Sequence, residues 1–205
     1  MVEYFLAGGG FMWPILVSLV FGVAISIERL ISLTRASVNT RKFLTNVISS
    51  LDKGGVDAAV AVCQKTKGPV ASIFHAGLLR AKRGTEHVEK AITNAGTIEM
   101  AFLERGLIWL STFISLAPML GFTGTVYGMI RSFDDIKKAN DIQPSIVAEG
   151  ISIALLTTLF GLVVAIILQV FHNYFVSKID RLVIDMEETS TELVDHLIEM
   201  EEKKA

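Results

Sequence analysis

One cysteine, Cys63, in 205 residues excludes an internal disulfide and a cysteine-built metal site. Histidine is nearly as scarce. His75, His87, His172 and His196 sit on separate segments, so neither a metal nor any other cofactor is expected. Net charge is small too: 19 Lys and Arg stand against 21 Asp and Glu. That balance by itself argues neither for nor against nucleic acid; no nucleic-acid partner is expected. The chain also lacks a GxxxxGK-S/T loop, an HExxH helix and a GxSxG elbow. An enzyme is therefore not expected, and no catalytic residue is assigned.

The most informative absence is local. Tyr4–Ile27, Gly106–Ile130 and Gly150–Ser177 contain no Asp, Glu, Lys or Arg at all. Each run exceeds the roughly 20 apolar residues that a helix needs to cross a bilayer. The fold class expected is all-α: a polytopic membrane protein with three transmembrane helices, its long helices extending into a cytoplasmic helical domain. The first run has no basic residue ahead of it, unlike a signal peptide, and reads as a retained span.

Lys and Arg set the expected orientation. Residues 1–28 carry none, residues 28–106 carry twelve, and Lys178 and Arg181 follow the third run at once. The link between runs two and three has three bases, balanced by Asp134, Asp135 and Asp141. By the positive-inside rule the N-terminus is outside and the bulk of the polar chain is cytoplasmic. The expected division is 1–27, N-terminal segment and first span; 28–105, cytoplasmic helical domain; 106–130, second span. A short external link (131–149), a third span (150–177) and a cytoplasmic C-terminal helix (178–205) complete it.

Within the polar regions, punctuation marks the helices. Gly8-Gly9-Gly10 reads as a hinge after a short interfacial piece. Asp52-Lys53-Gly54-Gly55 reads as a turn, Gly68-Pro69 as a helix stop and Thr85 as a cap. Val88, Ile92, Ala95, Ile98 and Phe102 keep a helical spacing and nothing is read as stopping the helix before the second span, so one unbroken helix is expected there. Nine acids and four bases make the segment from Lys178 a solvated amphipathic helix.

What the spans do contain is unusual for lipid-facing sequence. Ala117, Gly121, Gly124 and Gly128 step by four, three and four and share one helical face. Ser111, Ser115, Pro118 and Thr125 line a neighbouring face, and Pro118 is suited to flexing the helix. On the third span Ala154, Thr158, Gly161 and Ala165 repeat the pattern, with Thr157 beside them and Gly150 a turn away. Small residues let helices approach closely, and hydroxyls in hydrocarbon either satisfy one another or line a polar path. Hydroxyls do not exchange protons near neutral pH. The titratable groups nearest membrane depth are Glu149 and His172, at opposite ends of the third run. If protons cross here, a second protein is expected to supply the acid.

Leu120-Gly-Phe-Thr-Gly-Thr-Val-Tyr-Gly-Met-Ile-Arg-Ser-Phe133 resembles the second-span signature of the MotA/TolQ/ExbB proton-channel family. Val147-Ala-Glu-Gly-Ile-Ser-Ile-Ala-Leu-Leu-Thr-Thr-Leu-Phe-Gly-Leu-Val-Val-Ala-Ile166 resembles its third-span signature. Gly68-Pro-Val-Ala-Ser-Ile73 and Leu103-Glu-Arg-Gly106 are similar to its cytoplasmic segment. Three spans favour the ExbB/TolQ branch over the four-span flagellar type.

The resemblance implies an energy-transducing stator in the bacterial inner membrane, coupling proton motive force to mechanical work. It implies a homopentamer around two copies of a single-span ExbD/TolR-like subunit whose membrane Asp carries protons, with a TonB/TolA-like transducer beyond. By position it makes Thr125 and Thr158 pore-facing hydroxyls, with Thr157 and Glu149 as further ion-pathway candidates. Gly121, Gly124, Gly128, Pro118 and Gly161 become packing residues. The ExbB type carries a Glu early in the third span, where this chain has Ile153. Glu149, one turn earlier on the same face, is the candidate substitute. A sodium-driven motor and a non-conducting scaffold for cytoplasmic partners are the competing readings.

Overall fold

The computed structural model describes residues 2–37, 39–139 and 144–202; Asp141 and the last three residues, used above, lie outside them. Seven α-helices follow in order among the described residues, with no strand. They are α1 (Val2–Ala7), α2 (Met12–Ala36), α3 (Thr40–Lys65), α4 (Pro69–Leu78), α5 (Thr85–Glu104), α6 (Leu107–Ala139) and α7 (Pro144–Glu202). A 3-10 turn, Ala81–Arg83, joins α4 to α5. Three of the helical stretches are long and apolar enough to cross a membrane. With 59 residues, α7 is about 88 Å long. Helix continues past the ends of the charge-free runs, so 131–139 and 144–149 are helical.

The chain divides into two compact units. The first comprises residues 1–29 and 106–174 and contains the apolar parts of α2, α6 and α7. On α2, Met12, Ile15, Ser18, Gly22, Ser26 and Arg29 turn inward at steps of three and four. A Cβ on Gly22 would lie 2.5 Å from Leu168 of α7, so these two helices are in close contact. Phe21 stacks on Phe113 at 6.1 Å between centroids, tying α2 to α6. Ser18 and Ser26 donate to the carbonyls of Pro14 and Gly22, which satisfies them without a cross-helix partner. Arg29 is buried but bound through two nitrogens to the Glu28 carboxylate, at 2.6 and 2.7 Å. Many outward side chains are large and apolar: Trp109, Phe122, Leu155 and Ile166 are all well exposed, as a lipid-facing surface requires.

The second unit comprises residues 30–105 and 175–205. Its core is an ordinary apolar one, with Phe43, Leu51, Phe74, Leu78 and Val88 buried. Phe43 stacks on Phe74 at 5.6 Å. From Phe175 onward α7 buries Phe175, Ile179, Leu182, Met186, Leu193 and Leu197 as one stripe, while acidic residues such as Glu187, Glu188 and Glu192 lie off it. The expected turn at Asp52–Gly55 falls where α3 is kinked: Gly55 leaves the helical region, with a φ of 71° that a side chain would resist, and two helical pieces meet there.

Two sequence expectations need correction here. The helix leading to the second span is broken: α5 ends at Glu104, Arg105 leaves the helical region, and Gly106 takes φ 89° before α6 begins. A single glycine able to adopt that conformation is what the periodicity from Val88 to Phe102 did not reveal. Thr85 is not a cap either. It is the first residue of α5, preceded by Gly84 with no side-chain cap.

Candidate functional site

The site grows from the small-residue faces of α6 and α7, which lie against each other in antiparallel order. A Cβ placed on Gly161 would fall 2.6 Å from the Ala117 carbonyl oxygen and 3.2 Å from Gly121 Cα. On Gly121 it would fall 2.9 Å from the Thr157 carbonyl oxygen, and on Gly128 3.0 Å from that of Gly150. These are backbone atoms, which cannot rotate aside. At Gly124 the neighbour is the Thr157 side chain, 2.7 Å away, and at Gly150 it is Ser132. The seam therefore runs Ala117, Gly121, Gly124, Gly128, Ser132 on α6 against Gly161, Thr157, Ala154, Gly150 on α7.

Next to the seam, Thr125 and Thr158 meet with 2.5 Å between their hydroxyl oxygens. Both are half-buried, and the Gly121 carbonyl lies within reach of each, at 3.1 Å from Thr125 and 3.3 Å from Thr158. The Ala154 carbonyl adds a fourth oxygen, 3.5 Å from Thr125. Two hydroxyls own two hydrogens. One bridges the pair and the other goes to a carbonyl, so the pair as it stands offers outsiders lone pairs only. To solvate a carboxylate it must turn a hydrogen away from backbone. To bind a proton donor or a cation it need not move.

The other sequence candidates are placed differently. Thr157 is fully buried and donates to the Ile153 and Ala154 carbonyls at 3.1 and 3.0 Å, filling the space that Gly124 leaves. Pro118 is half-buried inside α6, which continues on both sides of it. Glu149 is exposed near the start of α7, nine residues and about 13 Å along the helix from Thr158. Ile153 lies beside the hinge, its Cγ2 3.7 Å from where a Cβ on Gly9 would be. Ser132 is a seam residue that sequence reasoning missed. It continues the step of four from Gly128, but Arg131 ends the charge-free run and hides it. Among the described residues no three His, Cys, Asp or Glu side chains gather as a metal site.

Three apolar helices, with glycine-to-backbone contact and paired hydroxyls between two of them, define a multi-pass helical membrane protein with polar groups at membrane depth. A profile of the MotA/TolQ/ExbB proton channel family matches residues 65–188, and the chain belongs to that family. It is 35% identical over 180 residues to a protein of Methanothermobacter thermautotrophicus named as a biopolymer transport protein ExbB homolog, covering 87% of this chain and 64% of that one. A Synechocystis protein named as ExbB-like 3 is 30% identical over 83% of this chain and 82% of its own length. The Tol-Pal system protein TolQ of Pseudomonas aeruginosa is 31% identical over 63% of each. The family is one of transport and energy transduction, not of enzymes.

Proposed function

We propose that this chain is the ring-forming subunit of a proton-driven motor in the cytoplasmic membrane, working with a single-span, ExbD/TolR-like partner that carries a membrane Asp. The observation that carries the reading is the Thr125–Thr158 pair, held beside a glycine seam too tight to rearrange. An Asp in a low-dielectric pore prefers its neutral, protonated form and ionises where polar groups solvate it. The lone pairs of the hydroxyls accept a hydrogen bond from the acid's O–H. When the acid ionises, one hydroxyl hydrogen swings from the Gly121 carbonyl to the carboxylate.

Protons enter from the outside near Glu149, which stands toward the outer mouth where the family's Glu is replaced by Ile153, and leave on the cytoplasmic side. Thr157 supports the path from behind by fixing the α6–α7 contact. Each proton crossing about 100 mV supplies about 2.3 kcal/mol, enough to bias a step of the ring about its partner helices. Five copies around two partners, with a TonB/TolA-like transducer beyond, is the assembly this reading implies. The N-terminus is outside and the second unit cytoplasmic.

The test is Thr125→Val with Thr158→Val in the complex reconstituted in vesicles. Proton flux is expected to vanish while native mass spectrometry still counts the same assembly; wild-type flux overturns the reading. One feature favours a sodium-driven version: hydroxyl and carbonyl oxygens cluster at the Thr125–Thr158 pair, and such oxygens also suit Na⁺. Flux that follows a sodium gradient and survives a protonophore selects it.

A further inference from the structure

The hydroxyl pair is not the only polar feature of the first unit. From Thr158, Ala165, Gln169 and His172 follow along α7 at seven, eleven and fourteen residues, within about 40° of one line. From Thr125, Pro118 and Ser111 recede along α6 at seven and fourteen residues, again within about 40°. Because the helices are antiparallel, the two lines leave the pair in the same direction.

They end at a cavity of about 580 Å³ whose lining includes Ser111, Thr112, Ser115, Met119 and His172. It is open on one side, and its three hydroxyls and the imidazole give entering water hydrogen-bond partners. Its hydroxyls face it as acceptors. Thr112 gives its hydrogen to the Ile108 carbonyl at 2.8 Å and Ser115 to that of Ser111 at 3.2 Å. Nδ1 of His172 is buried and has no hydrogen-bond partner among the described residues. Leaving such an atom unmet costs about 1–3 kcal/mol, so it needs water or a proton.

No Asp, Glu, Lys or Arg lines the cavity. On α2 the nearest charged groups are Glu28 and Arg29, bound to each other, with Arg29 beside Gly106. On α7 the next charge is Lys178, six residues on. Within the three charge-free runs His172 is the one side chain of a type that exchanges protons near neutral pH.

We propose that His172 and this cavity form a proton-exchange site at the exit of the ion path. The ring takes a proton from water at the side of the imidazole that lines the cavity, and the imidazolium gives one back to the water beyond, returning to its neutral form. Met119 is six residues from Thr125, which leaves about 9 Å between cavity and hydroxyl pair for the partner's carboxyl to serve. The inference rests on the proton-conducting reading above and names its exit.

The experiment compares the wild-type complex with H172Q in vesicles, scanning pH on the exit side. H172Q is expected to lower flux about ten-fold or more and to remove its dependence on exit-side pH near neutrality, with assembly unchanged. Wild-type flux and profile in H172Q overturn the proposal. Reduced flux with the profile intact also overturns it, since a packing role would give that. The Thr125→Val, Thr158→Val complex in the same vesicles separates the two ideas: if it conducts, the conduction reading itself fails. Nitrogen-15 NMR of the histidines in the wild-type complex reads the ring directly, whatever H172Q does to assembly. A His172 ring signal that does not change with exit-side pH overturns the proposal.

Discussion

The two units hold themselves together by opposite means. In the first, the tightest contact is made where side chains are missing: Gly121 and Gly161 bring two backbones together. In the second, space is filled by large side chains, with Phe43 stacked on Phe74 and Leu51 and Leu78 around them. The difference follows from the solvent. Water drives apolar surface inward at about 25 cal/mol per Å². Lipid offers no such drive, so helices there associate through close van der Waals approach and a few hydrogen bonds. An apolar residue is therefore a cohesive element in one unit and a neutral outer surface in the other.

The largest test of that contrast is Phe74→Ala. Phe74 is fully buried, and its loss is expected to cost the second unit about 3–5 kcal/mol. Circular dichroism melts of the purified chain should show an early transition for that unit alone. A shift below about 1 kcal/mol would mean its core is not what holds it. Next comes Gly161→Ala, a single added methyl aimed at the Ala117 carbonyl. We expect about 1–3 kcal/mol of destabilisation, read as a lower melting temperature in detergent; an unchanged melt would break the argument for the seam. Smallest, and of opposite sign, is Gly96→Ala on α5. The nearest atom to the new Cβ is Ile73 Cδ1 at 4.0 Å, so the gain in helix propensity, about 0.5–1 kcal/mol, should appear undiminished. The same substitution thus changes sign between the two units.

Much of this is legible before folding. Charge-free length marks the spans, and steps of four, three and four mark the faces on which Gly121, Gly124 and Gly161 lie. Pairing of the two faces follows because each is otherwise an exposed stripe of backbone. What is not legible depends on conformations or partners that periodicity does not encode. The break at Gly106 needs a positive φ, which only the folded chain reveals. The separate fates of Thr157 and Thr158 depend on a rotation of about 100° between neighbours, enough to send one against Gly124 and the other to Thr125. The roles proposed for Thr125 and Glu149 depend on the chemistry of the proposed partner, and no reading of this chain alone contains it.

Cys63 carries a last consequence. Burial against α3's neighbours pushes its thiol from 9.0 up to about 11. At neutral pH about one such thiol in ten thousand is ionised, and the thiolate is the form that reacts. The protein is thus almost silent toward maleimides and disulfide reagents while folded. A cysteine introduced at Thr125, Ser132 or His172 would report its own position with little background, so this scaffold comes ready for site-by-site accessibility mapping.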